Sequence, residues 1–344
     1  MNRLRFSTLA AFLCVAASPA LLFSQSIWIG QGSSGTWSDS TRWSGGTPPV
    51  GGSATQTLSF YGYGTPTAAA ISSNNNLAGT FLVNSLSFNS SLTGTGGFTL
   101  TTAAGSSIQL GGTNPTINQD GSGLVTFSGT GFSLASNTRI TGSGLGNISF
   151  TGGALNGGTN TLTIGNGTLA PTQNSRVVTF GAANTFSGAG GVTLDGGTIN
   201  VANNGSLGSG TLNVTANGGV MQVTTALSGL SSNIALTGNL DLVGTSATTM
   251  TTTSLSGAGN LTIRNTSGLT IQSNSNGFTG AVTLDRHNLA NFGYGSTGTL
   301  TLSVSNGALS AASGFDVRAG YTLAISSNVT SSTVNTNRIG DTAA

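Results

Sequence analysis

Lysine and glutamate are absent from this 344-residue chain: all nine basic residues are arginine and all seven acidic ones aspartate. Charged residues make up only 5% of the sequence, which is not the composition of a charge-rich disordered segment. Without Arg3 and Arg5, which sit in an apolar N-terminal stretch, seven Arg balance seven Asp. The remaining arginines (Arg42, Arg139, Arg176, Arg264, Arg286, Arg318 and Arg338) are scattered, so no basic patch exists for phosphates and no nucleic-acid partner is expected.

Cysteine is nearly as scarce. Cys14 is the only one, and Ala11-Phe12-Leu13 before it lacks the small residue of a lipoprotein signal. No thiol follows it, which excludes a disulfide framework, a cysteine-based metal site and a cysteine nucleophile. A single histidine, His287, leaves only scattered carboxylates as further ligands, so no metal or other cofactor is expected. Long apolar runs are missing beyond the start. Met1-Asn-Arg-Leu-Arg5 leads into an apolar stretch to Phe23 that Ser7, Thr8, Ser18 and Pro19 interrupt. A basic start and a short apolar core followed by small residues read as a secretory signal over residues 1–26, not as a membrane anchor. Export is the expectation, to the cell surface or beyond. Proline stops at Pro171, and because it cannot donate to a strand ladder, uninterrupted stacking is expected from about residue 172 onward.

What the chain has in abundance is repetition. Gly, Ser, Thr and Asn exceed half of its residues, and Phe186-Ser-Gly-Ala-Gly-Gly-Val-Thr-Leu194 recurs as Leu92-Thr-Gly-Thr-Gly-Gly-Phe-Thr-Leu100 and Leu255-Ser-Gly-Ala-Gly-Asn-Leu-Thr-Ile263. Shorter versions begin at Phe127 and Phe278. Turn plus short alternating strand, repeated, is the pattern of a solenoid. Apolar residues alternate in pairs such as Val192/Leu194, Ile199/Val201, Leu212/Val214, Leu261/Ile263 and Leu300/Leu302, which sends one set inward and Thr, Ser and Asn outward. Gly196-Gly197, Gly218-Gly219 and Asn204-Gly205 supply positive φ at corners. The strand ends Leu194, Val214, Ile263, Leu284, Leu302 and Leu323 recur at intervals of about 20 residues, with one longer gap before Ile263. The predicted fold is all-β, a right-handed parallel β-helix of about 20 residues per coil. Residues 27–90 are read as an aromatic-rich N-terminal cap with the first coils, and residues 91–344 as the repeat region.

The stretch from Phe186 through Asp-Gly-Gly-Thr-Ile199 and Leu207-Gly-Ser-Gly-Thr-Leu212 closely resembles the autotransporter-associated β-strand repeat, a bacterial secreted or surface passenger architecture. Trp37-Ser-Asp-Ser-Thr-Arg-Trp43 with Pro48-Pro49, then Phe81-Leu-Val-Asn-Ser-Leu-Ser-Phe88, is similar to the usual start of such proteins. The resemblance covers about residues 28–344 and implies secretion and a non-enzymatic scaffold: a stalk, an envelope component or an adhesin. It brings no catalytic residues. The membrane β-barrel of autotransporters is missing here, as is a sorting anchor, and the last residues read as the lead-in to a further coil. Membrane association is therefore expected only through a C-terminal region beyond this sequence, and self-association through the exposed last coil.

Candidate ligand-binding residues are few. Trp28, Trp37 and Trp43 crowd the segment after the signal, as a cap over the first coil or as an aromatic platform for a sugar. Asp285 and His287 are two apart, so on a strand they share a face and form the one arguable acid–base pair, with Asp316-Val-Arg318 expected to stack a coil or more away; a solvated local ion pair is the alternative. The competing function is thus an extracellular polysaccharide-binding or polysaccharide-cleaving β-helix. A third reading gives the segment no activity of its own beyond carrying an attached domain outward. The Gly-rich runs at Gly142–Gly146 and Gly188–Gly191 lack the spacing of phosphate loops and read as corners.

Overall fold

The computed structural model describes residues 25–30, 34–61, 71–89, 97–165, 167, 176–188, 190–230, 232–251, 254–272, 277–285, 298–302, 309 and 311–325. They form a parallel β-solenoid of about nine turns. Every strand pairing among them is parallel, and each strand pairs with strands two or three elements away in sequence, as coiling demands. The only helical pieces among the described residues are the 3₁₀ turns Ser40–Arg42 and Ser44–Gly46.

Two long sheets form two walls of the coil. The first has 11 strands, from Gln25–Trp28 to Gly277–Phe278, and the second has 12, from Gly35–Thr36 to Gly314–Val317. The third wall is split. Three strands form it early (Gly79–Val83, Ser106–Leu110, Phe132–Leu134), and five form it late, from Leu227–Leu230 to Tyr321–Ile325. Between them the wall is built from turns over residues 152–160, 181–188 and 202–210, which still bury Leu155, Phe186 and Leu207. The amide of Asn184 pins these turns together: it accepts from Leu155 N at 2.8 Å in the previous coil and donates to Ser206 O at 2.6 Å in the next.

The alternation read from the sequence sets the core. Val192, Leu194, Ile199, Val201, Leu212, Val214, Leu261, Ile263, Leu300 and Leu302 all face inward and are buried. Burying each such side chain contributes about 2 kcal/mol, and stacking identical positions lets one column serve many coils. Up to Phe180 the column is aromatic: Phe60 stacks on Phe88, Phe127 on Phe150 at 4.7 Å between centroids, and Phe150 on Phe180. Beyond it, from Val201 to Leu284, the inward residues of the 12-stranded sheet carry no ring.

The coil length departs from the expected value. Coils average about 24 residues. The first are long: Gln25 pairs with Thr57, Thr57 with Ser85 and Ser85 with Thr116, the last two standing 31 residues apart. From Gly219 to Val282 the coils are shorter and uniform, and the step from Asp285 to Arg318 lengthens again to 33 residues. Gly219, Leu240, Leu261 and Val282 follow one another on successive strands, and the corner residues Asn239, Asn260 and Ala281 before them are spaced 21 residues apart. Among the predicted strand ends, Leu194/Val214 and Ile263/Leu284 are true coil neighbours. Leu284 and Leu302, however, lie on different walls, and Leu323 pairs with Leu300. Nor does stacking wait for residue 172. It starts at Gln25, because Pro115 stands just before Thr116–Gln119, where no ladder hydrogen is required of it. At the corners Gly196 and Gly218 have positive φ as expected. The Asn204-Gly205 corner instead uses Asn203, whose side chain accepts from Gly205 N at 2.9 Å.

No helix among the described residues is long and apolar enough to cross a membrane. Residues 1–24, which hold most of the predicted signal, lie outside the described residues.

Candidate functional site

Asp39 shapes the N-terminal segment. Its carboxylate accepts from Thr41 N and Thr41 Oγ1, at 3.0 and 2.7 Å, and these bonds hold it below the usual carboxylate range. The turn so capped swings Trp43 back to bridge Trp28 in antiparallel fashion. The three indoles then meet edge to face, Trp28 on Trp43 at 5.2 Å and Trp43 on Trp37 at 5.9 Å, and Trp37 meets Phe81 of the first third-wall strand. Trp37 Nε1 donates to Ser73 Oγ and Trp43 Nε1 to Trp37 O, both at 2.9 Å. Each indole is at most 1% exposed. Buried rings have no face to give a sugar, so the platform reading of Trp28, Trp37 and Trp43 gives way to packing over the first coils.

Asp285 has more company than the sequence reading gave it. Arg264 Nη1 and Arg318 Nη1 both donate to its Oδ2, at 2.6 and 3.0 Å. Arg318 Nε reaches Asp316 at 3.0 Å, and Arg264 Nε faces Asp241 at 3.6 Å. Five charges from four successive coils thus line the outer face of the 12-stranded sheet. The registers explain why: Asp241 lies opposite Thr262, Thr262 opposite Thr283 and Thr283 opposite Asp316, while Val243 lies opposite Arg264. Asp285 and Arg318 continue the Val243–Arg264 column by one coil each. The Asp285 side chain is only 4% exposed. Val220 and Val243, outward by register on the same sheet three and two coils away, are buried too. Burial raises the Asp241 carboxyl above its ordinary value against the pull of Arg264, and burial, with Asp285 nearby, raises the Tyr321 phenol.

A carboxylate shared by two guanidiniums and shielded from solvent is poorly placed to take a proton from a substrate. His287, the other half of the predicted pair, lies outside the described residues, as does Arg286. Asp241 and Arg264 were missed as site members. The coil step holds the signal that finds them: Asp285 follows Arg264 by 21 residues, the same step that carries Val243 to Arg264.

Two further charge contacts cross coils. Asp195 accepts from Arg139 Nη1 at 2.9 Å and from Thr215 Oγ1 and Asn217 Nδ2 at 2.8 Å. Burial works against its ionisation, but hydrogen bonds from Asn217, Arg139 and Thr215 prevail and hold it below the usual range. Arg176 is buried and spends its guanidinium on backbone carbonyls, those of Gln119, Thr141, Gly142 and Gly144, at 2.6 to 3.0 Å. Burial pulls it below the ordinary arginine value, with Asp120 opposing. Among the described residues no group of three His, Cys, Asp or Glu is placed to hold a metal ion. No family model, curated protein or solved structure matches this chain.

Proposed function

We propose that the chain is a secreted or surface-displayed scaffold of the autotransporter-passenger kind, a β-helical rod serving as stalk, envelope component or adhesin. One observation carries the reading. Each aspartate and arginine among the described residues is bound by its own turn or by a neighbouring coil, so charge here joins coils together. The outward columns that remain are neutral hydroxyls and amides, such as Thr99, Thr126, Ser149 and Thr179 on consecutive strands. Repeating neighbour contacts of this kind give length and resistance to unfolding without demanding a specific ligand.

The test uses chain expressed with residues 1–26 in a Gram-negative host and purified from the exported fraction. Expected are export with loss of the signal, an elongated particle in small-angle scattering, and intact rod after trypsin, which has only arginines to cut. A panel of polysaccharides should be neither retained nor shortened. Retention inside the cell would sink the export reading. Polysaccharide release that Asp285→Asn abolishes, in a rod that stays folded, would put the enzymatic reading in its place.

A further inference from the structure

The late coils are nearly interchangeable. Their inward positions run Leu240, Leu261, Val282 and Leu242, Ile263, Leu284, and Gly238, Gly259 and Gly280 stack at one corner. Because these coils are equal in length, a chain that looped out one of them and closed the gap would find the same core and the same corner. Along the 12-stranded wall neither apolar packing nor turn geometry distinguishes the correct neighbour from the next one along, and only the other walls, where Leu236, Gly257 and Phe278 succeed one another, differ from coil to coil.

The charges do distinguish them. Along the stack the signs run Asp241, Arg264, Asp285, then Arg318 beside Asp316, each coil offering its neighbour the opposite sign. Looping out the coil of Arg264 would leave the Asp241 and Asp285 carboxylates diagonal to one another on adjacent strands, both largely shielded from water and with no guanidinium between them. Looping out the coil of Asp285 would set Arg264 against Arg318. From this alternation we infer that the Asp241–Arg264–Asp285–Arg318–Asp316 ladder is a register lock: it fixes which coil stacks on which by turning a one-coil slip from attraction into repulsion. Buried ion pairs add little net stability over well-packed apolar residues, and discrimination among alternatives is their best-attested use.

The third wall offers a reporter. Thr249 pairs with Thr270, and Thr270 with Thr301, so in the correct stack Thr249 and Thr301 are two coils apart. Two strand spacings, about 9.6 Å, exceed the reach of a disulfide. In the full chain carrying Cys14→Ser, Thr249→Cys with Thr270→Cys reports the correct register, and Thr249→Cys with Thr301→Cys reports loss of the Arg264 coil. Refolding and oxidation should link only the first pair. Neutralising the ladder (Asp241→Asn, Arg264→Gln, Asp285→Asn, Asp316→Asn, Arg318→Gln) should raise the second link about tenfold, the ratio set by about 1.4 kcal/mol of lost discrimination. Inverting every sign instead (Asp241→Arg, Arg264→Asp, Asp285→Arg, Asp316→Arg, Arg318→Asp) should return linking to the first pair. The inference is overturned if the neutral ladder leaves the second link at its starting level, whether the coils keep register or the chain no longer folds. It is equally overturned if the inverted ladder slips as often as the neutral one.

Discussion

Early and late coils solve the same stacking problem by different means. Before Phe180 the coil length is uneven, 23 residues from Asp120 to its neighbour Ser143 but 31 from Ser85 to Thr116, and the core is a column of phenylalanines. From Leu212 to Leu284 the steps settle: Asn233 and Ser254 stand 21 residues apart, Thr224 and Ser246 stand 22 apart, and the column of the 12-stranded sheet is Met221, Leu242, Ile263 and Leu284. An aromatic column, with its preferred ring geometries, identifies its neighbour from inside the core, so loops of unequal length do no harm. An aliphatic column does not, and the burden of specifying register passes to the outside of the coil. Irregularity and aromatic packing therefore go together early, whereas the charge ladder begins in the uniform coils and extends across the longer step to Arg318.

The sharpest test of this contrast removes one residue from each column. Phe127 touches Phe88, Phe132 and Phe150. Phe127→Ala should cost about 4 kcal/mol, and Leu242→Ala about 3 kcal/mol, in equilibrium urea unfolding. Equal costs, or a larger cost at Leu242, would break the claim that the early core depends more on its rings. Corners come next. At Gly259 a β-carbon would overlap the Gly238 carbonyl oxygen of the coil above, whereas at Gly105, with φ +78°, it meets open space. Gly259→Ala should therefore cost about 3 kcal/mol through crowding, and Gly105→Ala about 1 kcal/mol from backbone strain alone. A melting temperature that falls as far for the second as for the first would mean that the tight late corner is not what limits it.

Smallest is the response to pH, and the Asp195 contact and the Asp241 end of the ladder should differ in sign. Asp195 has a folded value held below its unfolded one, so its contribution is present above the unfolded carboxylate range near 4 and fades as pH falls through the folded value. Asp241 is raised, so the folded state favours its protonated form and its contribution grows as pH falls through that raised value. Asp195→Asn should lower stability at neutral pH by about 1 kcal/mol, the worth of a charge-assisted hydrogen bond. Asp241→Asn should leave neutral stability unchanged or slightly higher. Unfolding series between pH 3 and 7 would show it, and parallel profiles for both variants would contradict the assignment.

The solenoid was legible because period-two alternation between glycine corners admits few other structures, and the pairs at Val192/Leu194 and Leu261/Ile263 already named the core. What misled was counting Leu194, Val214, Ile263, Leu284, Leu302 and Leu323 as one pitch, although they lie on three different walls. Gly191–Leu194 falls in the 11-stranded sheet, whereas Phe98–Thr102 and Leu261–Asn265, from its near-copies, fall in the 12-stranded one. Any corner needs glycine before a strand, so the motif recurs at whichever wall comes next. The tryptophans illustrate a second limit. Composition places aromatics near the chain start, but only the turn at Asp39 decides that their rings face one another rather than solvent. Asp241 and Arg264 escaped because their partnership depends on the coil step, which the varied early coils obscure.

The change in the third wall has a mechanical consequence. Where strands form all three walls, three hydrogen-bond ladders run along the axis and resist bending in every direction. Over residues 152–160, 181–188 and 202–210 only two continue as ladders, and the third side is turns pinned by Asn184. The rod is thus two stiff segments joined by a compliant one. Under load it should curve about that middle, opening along the strandless side, and bent particles in electron micrographs should show their elbow there. For a stalk, a built-in elbow sets how far from its base the tip can sweep.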